Sequence, residues 1–395
     1  MNVKTSRNTT VLRNLRIWDG TSWADANSIC VQGHRITALE APNDPIGKTT
    51  VIDCAGAVAI PGLMDAHVHM ELNPEHSKPP AHTDLNQQPQ MEMRAREMVE
   101  AGITTARDLG GGAWLELKLR DRIAEGTVPG PRLICAGQPI TSPGGHCHFW
   151  GGEAADLEQA RGVMERQVSQ GVDLIKVMAS GGRMTKGSDP SKPQFDVETL
   201  SGIVTSAQHH GLPVAAHCHG TRAIEYAARA GVSTIEHCSW VGQDGWASDY
   251  QDEIARIILE RGVWVSPTIN RGWQRMLDSK TGAVLARVRA AYGAMLEMGI
   301  PFVASTDAGI PGVFHHHLPE ALGVFSRIAG LTNADTLRSA TSGAARALGL
   351  SATTGRLTPG LAADILLLDG DPLEDMTALT RPVGIWANGR AVRLP

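Results

Sequence analysis

The stretch AIPGLMDAHVH, residues 59–69, decides how this chain is read. It is a short apolar run, broken by Pro61-Gly62, that ends in His67-Val68-His69. Successive side chains of a strand point to opposite faces, so His67 and His69 share one face and Val68 takes the other. Two imidazoles on one face suit a shared metal ion. A pair of hydrogen-bonded histidines is the alternative that this tripeptide leaves open by itself.

Seven further strand-like runs follow: GITTARDLG, PRLICAGQPIT, VDLIKVMASG, LPVAAHCHG, VSTIEHCSW, GVWVSPTIN and IPFVASTDAG. Between them lie helix-period segments such as MEMRAREMVEAG, EQARGVMERQVSQG and DEIARIILERG, each closed by the glycine expected beyond a helix C-terminus. The alternation marks βαβ units. Eight units across residues 61–350 predict an α/β chain built on a (β/α)₈ barrel. A doubly wound open sheet is the alternative, but no G-x-G-x-x-G or G-x-x-x-x-G-K-[ST] fingerprint supports it. Outside the barrel, TTVLRNLRIWDG, NSICVQGHRITALE, GLAADILLLDG and VGIWANGRAV read as short strands, with Asp19-Gly20 and Asn388-Gly389 as turns. The expectation is a small β-sandwich domain made from residues 1–60 plus 351–395.

The chain has 395 residues, 42% of them hydrophobic and 19% charged, the balance of a globular enzyme. A net charge of -5 without long charged blocks gives no surface for nucleic acid or an anionic membrane. The N-terminus lacks the apolar core of a secretion signal, and no run of about 18 apolar residues spans a bilayer. The six cysteines are scattered without C-x-x-C pairs, as free thiols of a reducing cytoplasm are. A cytoplasmic protein is expected, with a small-molecule substrate and further copies of itself as partners in a homo-oligomer.

Barrel enzymes carry their chemistry at the C-terminal ends of the strands. Here those ends hold Lys176 within DLIKVMA, His217-Cys218-His219, Glu236-His237-Cys238 and Ser305-Thr306-Asp307. A lysine in a buried strand is costly unless neutralised, paired or bound to metal. Histidine, carboxylate and oxygen ligands suit zinc or a similar divalent ion. A desolvated lysine amine can take up carbon dioxide to give a carbamate, whose two oxygens can bridge two ions. The ions would then lie about 3.5–4 Å apart and share a water whose pKa falls towards 7. Asp307 could bind one ion, take a proton from that water and hand it to the leaving amine. Packing alone does not explain one ligand-type side chain at each of five strand ends.

As a set, PGLMDAHVH (61–69), the strand lysine, H-x-H, E-H and S-T-D resemble the amidohydrolase superfamily, and GLAADILLLD (360–369) resembles the strand that closes its β domain. The resemblance spans nearly the whole chain. It implies His67, His69 and Asp307 on the more buried metal, His217 and His237 on the other, and Lys176, as N6-carboxylysine, on both. GVDLIKVMASGG (171–182) resembles the imidazolonepropionase-like branch with its Xaa-Pro and other dipeptidases. Imidazolonepropionases typically bind one metal and lack the bridging lysine, so Lys176 argues against that activity. Gly144-Gly145-His146 matches a motif that places a histidine near the scissile carbonyl. Where those relatives carry H-x-Y, this chain has His219, a possible replacement donor; such a donor contributes about 2.7–4 kcal/mol in the transition state.

Asp307, His146 and His219 are therefore the expected catalytic residues. His148, Arg183 and His317 are expected at the substrate, with Arg183 and Lys186 as partners for a substrate carboxylate or, in the alternative, exposed loop residues. Residues 73–90, with His76 and His82, form a loop long enough to be a lid. Cys218 and Cys238 point away from the metals, and Arg107-Asp108 reads as a structural ion pair. The expected activity is hydrolysis of a carboxamide bond in a dipeptide, Xaa-Pro or N-acyl amino acid. The alternatives are carbamate, urea or aryl-amide hydrolysis, or a non-catalytic scaffold, which the full ligand set disfavours.

Overall fold

The structure, a computed structural model, describes residues 9–40, 49–76, 85–279 and 282–395. The first part of the chain gives β1 (Thr9–Arg13), β2 (Arg16–Ile17), β3 (Ser28–Gln32), β4 (Arg35–Ala38), β5 (Thr49–Asp53) and β6 (Val58–Pro61). The centre gives β7 (Leu63–Val68), β8 (Ile103–Asp108), β9 (Arg132–Cys135), β10 (Ile175–Met178), β11 (Val214–Gly220), β12 (Thr234–Val241) and β13 (Trp264–Ser266). The last part gives β14 (Ile365–Leu368), β15 (Pro382–Ala387) and β16 (Arg390–Arg393).

The chain is α/β, with helices between the central strands. Strands β7-β8-β9 form one parallel sheet and β10-β11-β12-β13 another. Strands β7, β8, β10, β11 and β12 are buried at nearly every position, polar residues included, because both faces are covered. Helix starts follow local chemistry. Asp156 and Asp196 cap helices Leu157–Ser169 and Val197–His209 by accepting from the backbone N–H of Gln159 and Thr199. Helices Gln88–Glu100, Leu157–Ser169 and Asp252–Glu260 are each followed, one residue past the cap, by a left-handed glycine: Gly102, Gly171 and Gly262. No described helix is long and apolar enough to cross a membrane.

The eighth expected strand, residues 300–309, is not a strand. It touches both neighbours through isolated parallel bridges, Phe302 to Val265 and Ala308 to Val68. Its ladder is interrupted because the Ala304 N–H goes to Ser339 O and the Thr306 N–H to Asp65 Oδ1, and Asp307 turns left-handed at φ 62°. A third bridge, Ile140 to Val177, links the two parallel sheets on their other side. In place of one closed eight-stranded ladder, the described residues form two parallel sheets joined by single bridges.

The chain ends build two more sheets, ordered β4-β3-β1-β5 and β16-β15-β14-β6-β2. The second contains residues from both ends: Ile60 on β6 pairs with Leu366 on β14. The two sheets share a buried cluster that includes Leu12, Ile29, Ile36, Ile365, Leu367 and Trp386. Asn388-Gly389 makes the tight turn between β15 and β16 with both residues left-handed, at φ 49° and 75°. Asp364 sits where these parts meet. It is 2% exposed and accepts from Thr354 Oγ1 at 2.6 Å, the Asn388 N–H at 2.5 Å and Arg132 of β9 at 2.9 Å. One carboxylate thus ties the C-terminal hairpin to the central sheet. Removing one member of such a buried charged network costs about 3–5 kcal/mol. Asp364→Ala is expected to lose that much stability, read from the urea midpoint.

Candidate active site

Period-two strands bring His67 and His69, and His217 and His219, to one cavity. Two groups of three ligand atoms face one another there: His67, His69 and Asp307, and His217, His219 and His237. His67 Nε2 lies 3.2 Å from Asp307 Oδ1, and His69 Nε2 lies 3.4 Å from it. Each ring is oriented through its second nitrogen. His67 Nδ1 donates to Glu236 Oε2 at 2.9 Å, and His69 Nδ1 donates to Gly110 O at 2.9 Å. Both Nε2 atoms are thereby turned towards Asp307 and each other, 3.3 Å apart. His217 Nε2 donates to Gly181 O at 3.1 Å and leaves Nδ1 free. His237 Nδ1 meets Thr268 Oγ1, and His219 Nδ1 meets Ser239 Oγ, each at 2.9 Å. Such outer partners fix ring orientation in metal sites.

Glu236 is the hub of this outer layer. It is fully buried on β12, yet burial, which alone would raise its pKa, is outweighed by Arg107 and His67, which hold it well below the carboxylate range. Arg107 of β8 donates to Glu236 Oε1 at 2.7 Å, to Ala66 O at 2.7 Å and to Thr234 Oγ1 at 3.0 Å. The expected ion pair of Arg107 with Asp108 is therefore corrected. Strand alternation separates the two, and Asp108 instead accepts the N–H groups of Met70 and Gly110.

Lys176 is 1% exposed on β10 and lines the cavity. Among the described residues its amine has no carboxylate within ion-pair distance. Desolvation lowers its pKa, and its charge in turn helps to depress those of His67, His217 and His237. His67 and His146 are pushed down to about 4 and His219 to about 3, chiefly by desolvation, so these rings stay neutral near pH 7. Asp307 goes the other way: burial opposes its ionisation, but His67 and His69 hold it deprotonated. Asp307, His237 and Thr268 all have left-handed backbone, at φ 62°, 66° and 54°. Such strain costs on the order of 1–3 kcal/mol per residue and collects at functional sites.

The remaining expected residues divide. His146 lies in the cavity, its ring 4.6 Å from that of His217. Thr185 Oγ1 accepts the Cys147 N–H, which frees its own hydrogen for His146 Nδ1 at 3.2 Å. Gly182 provides the seat, since a Cβ there would lie 2.4 Å from His146 Nε2. His219 joins His217 and His237 more closely than expected, with ring centroids 4.6 and 4.5 Å away. Arg183 is exposed at the mouth, its guanidinium 5.5 Å from the Trp246 ring. His148 packs on Phe149 and is not among the lining residues; Trp150, two positions on, takes that place. His317 lies in a neighbouring cleft beside Arg271. His315, buried and likewise not among the lining residues, donates to His69 O at 3.0 Å. Residues 77–84 of the expected lid, with His82, lie outside the described residues; His76 contacts Asn73.

The cavity measures about 360 Å³. Above the histidines its wall is apolar: Trp150, Trp246, Trp273, Met178, Met184 and Met276 contribute. Met178 ends β10, whereas the others stand on loops and short helical turns with no periodic pattern to announce them.

Residues 58–392 match the Amidohydrolase family. The chain is 26% identical to ochratoxinase from Aspergillus niger, covering 86% of this chain and 76% of that protein. It is 24% identical to an imidazolonepropionase from Rubrobacter xylanophilus, covering 87% and 84%. The crystal structure of a Xaa-Pro dipeptidase with bound methionine superposes with a TM-score of 0.82 at 25% identity, covering 97% of this chain and 99% of that one. With its match across most of the length and its strand-end histidines in one cavity, the chain belongs to the amidohydrolase family.

Proposed function

We propose that this protein hydrolyses a carboxamide C–N bond with two divalent metal ions, zinc being the best match to the donors. The observation that carries this reading is the pair of three-ligand groups opening on one cavity beside a buried lysine amine that has no carboxylate partner among the described residues. The donors fit such ions: one nitrogen of each ring is hydrogen-bonded, and burial lowers the pKa values of His67, His217, His219 and His237. His67, His69 and Asp307 would hold one ion, and His217 and His237 the other. Lys176, carboxylated by carbon dioxide, would contribute to both. Such ions supply Lewis acidity for an amide carbonyl and lower the pKa of water.

The chain's own groups would do the rest. Asp307 is deprotonated beside His67 and His69, so its carboxylate can accept a proton and return it to the leaving nitrogen. His146 takes the Thr185 hydroxyl hydrogen on Nδ1, which leaves its own proton on Nε2 as a donor to the substrate carbonyl oxygen. His219 is a second neutral donor in reach of the same space. The amide-cleaving relatives, an Xaa-Pro dipeptidase and ochratoxinase, support the bond class. The apolar wall favours a second reading with the same site, in which a carbamate, urea or aryl amide is cut. In this proposal the parallel sheets and their bridges form the (β/α)₈ barrel of residues 61–350. The terminal sheets form its β-sandwich, from residues 1–60 plus 351–395.

A panel of dipeptides, N-acyl amino acids, aryl amides and ureas tests the proposal with zinc- and bicarbonate-treated protein. Turnover of ureas alone would sink the carboxamide reading. Lys176→Ala is expected to abolish turnover and to release metal, measured by elemental analysis; two retained equivalents with full activity would refute the carbamate. Asp307→Asn should keep the circular dichroism of the parent and lose about 10²–10⁴-fold in kcat. Glu236→Gln unseats His67 and is expected to weaken metal affinity about 10–100-fold in a chelator competition.

A further inference from the structure

A second cavity lies at the other end of the parallel strands from the histidines. It measures about 370 Å³ and is lined from both parts of the fold. Thr104 and Arg132 come from the starts of β8 and β9, and Asn388, Arg390 and Val392 from the C-terminal hairpin. Part of its wall is apolar: Val99, Ile123, Val128 and Leu133 contribute, and all but Ile123 are buried.

Four arginines line this cavity, and they are of two kinds. Arg120 pairs with Asp121 and Asp173, and Arg132 with Asp364, so acid already matches each. Arg96 and Arg390 have no carboxylate within ion-pair distance among the described residues. Glu100 is the one carboxylate among the described lining residues, so it offsets one of these two cations and leaves one positive charge over. The seat of Arg390 is built into the backbone. Helix Leu115–Glu125 ends at Gly126, left-handed at φ 81°, and a Cβ there would overlap the Arg390 guanidinium. The bare glycine lets that cation lie against the helix end, where carbonyl dipoles favour it. Yet Arg390 spends little of its hydrogen-bonding capacity there. Among the described residues it makes one long side-chain bond, from Nη2 to Glu125 O at 3.5 Å.

We propose that this cavity binds a small organic monoanion, a carboxylate on a short apolar body. Guanidinium groups match the two oxygens of a carboxylate, and one surplus positive charge suits one negative charge. The carboxylate meets Arg390 and Arg96, and the apolar body packs on Val99, Ile123 and Leu133. The bound acid bridges helices Gln88–Glu100 and Leu115–Glu125 to the β15–β16 hairpin, beside the tie that Asp364 makes through Arg132.

Hydrogen exchange on the zinc-treated protein with hexanoate as the probe tests this, because it locates the effect. Slower exchange is expected in residues 115–126 and 382–393, which an acid held at the histidine cavity does not touch. Two further probes separate the parts of the ligand: 1-hexanol lacks the charge and inorganic phosphate lacks the apolar body. Each should need a concentration about tenfold higher for the same protection. Arg390→Gln should raise the half-protecting concentration of hexanoate about tenfold. Arg96→Gln carries the same expectation from helix Gln88–Glu100, so a hairpin loosened by the first substitution cannot mimic the result. No protection of these segments by hexanoate, equal protection by 1-hexanol or by phosphate, or an unchanged midpoint in either variant would overturn the proposal.

Discussion

A carboxylate cannot be buried alone, and the placement of Glu236 organises the whole interior around that constraint. It lies on β12 of one parallel sheet, and its partners lie on the other: Arg107 on β8 and His67 on β7. The interaction therefore crosses the interior of the molecule and fixes how the two sheets face each other. It also reaches the chemistry. With one carboxylate oxygen held by Arg107, the other takes the His67 N–H, and the opposite nitrogen of that ring is directed at Asp307. Structural cohesion and ligand orientation are thus functions of the same three side chains.

The cavity follows a second rule: burial decides charge state. His67, His146 and His219 are neutral because they are desolvated, and Asp307 is charged in spite of burial. The lysine is pushed the same way as the histidines, towards the uncharged amine that can react with carbon dioxide. Donors that compete poorly for protons are the ones available to a cation.

The cavity's histidines and lysine were legible in the sequence because that information is local. His67 and His69 share a face through strand periodicity alone, and a lysine inside DLIKVMA is conspicuous by its cost. Arg107 was visible too, but not its partner, since Glu236 is 129 residues further along and no spacing rule spans that distance. The segment before Asp307 reads as a strand by composition, yet its hydrogen bonds divert to Ser339 and Asp65, neither of which is nearby in sequence. His148 and His317 do not line the cavity. His148 packs on Phe149 while Trp150 lines the cavity, and His317 opens on a neighbouring cleft. Trp246 and Trp273 could not be foreseen, because loops have no period to reveal which way they lean.

The division between strand-borne ligands and loop-borne walls has an evolutionary side. The atoms that would hold metal are anchored in hydrogen-bonded ladders or to them, whereas the aromatic lining comes from separate excursions after β9, β12 and β13. Each excursion can drift, lengthen or exchange a tryptophan for a smaller residue while the ladders stay as they are. A lineage built this way can try new substrates one loop at a time and keep its reaction throughout.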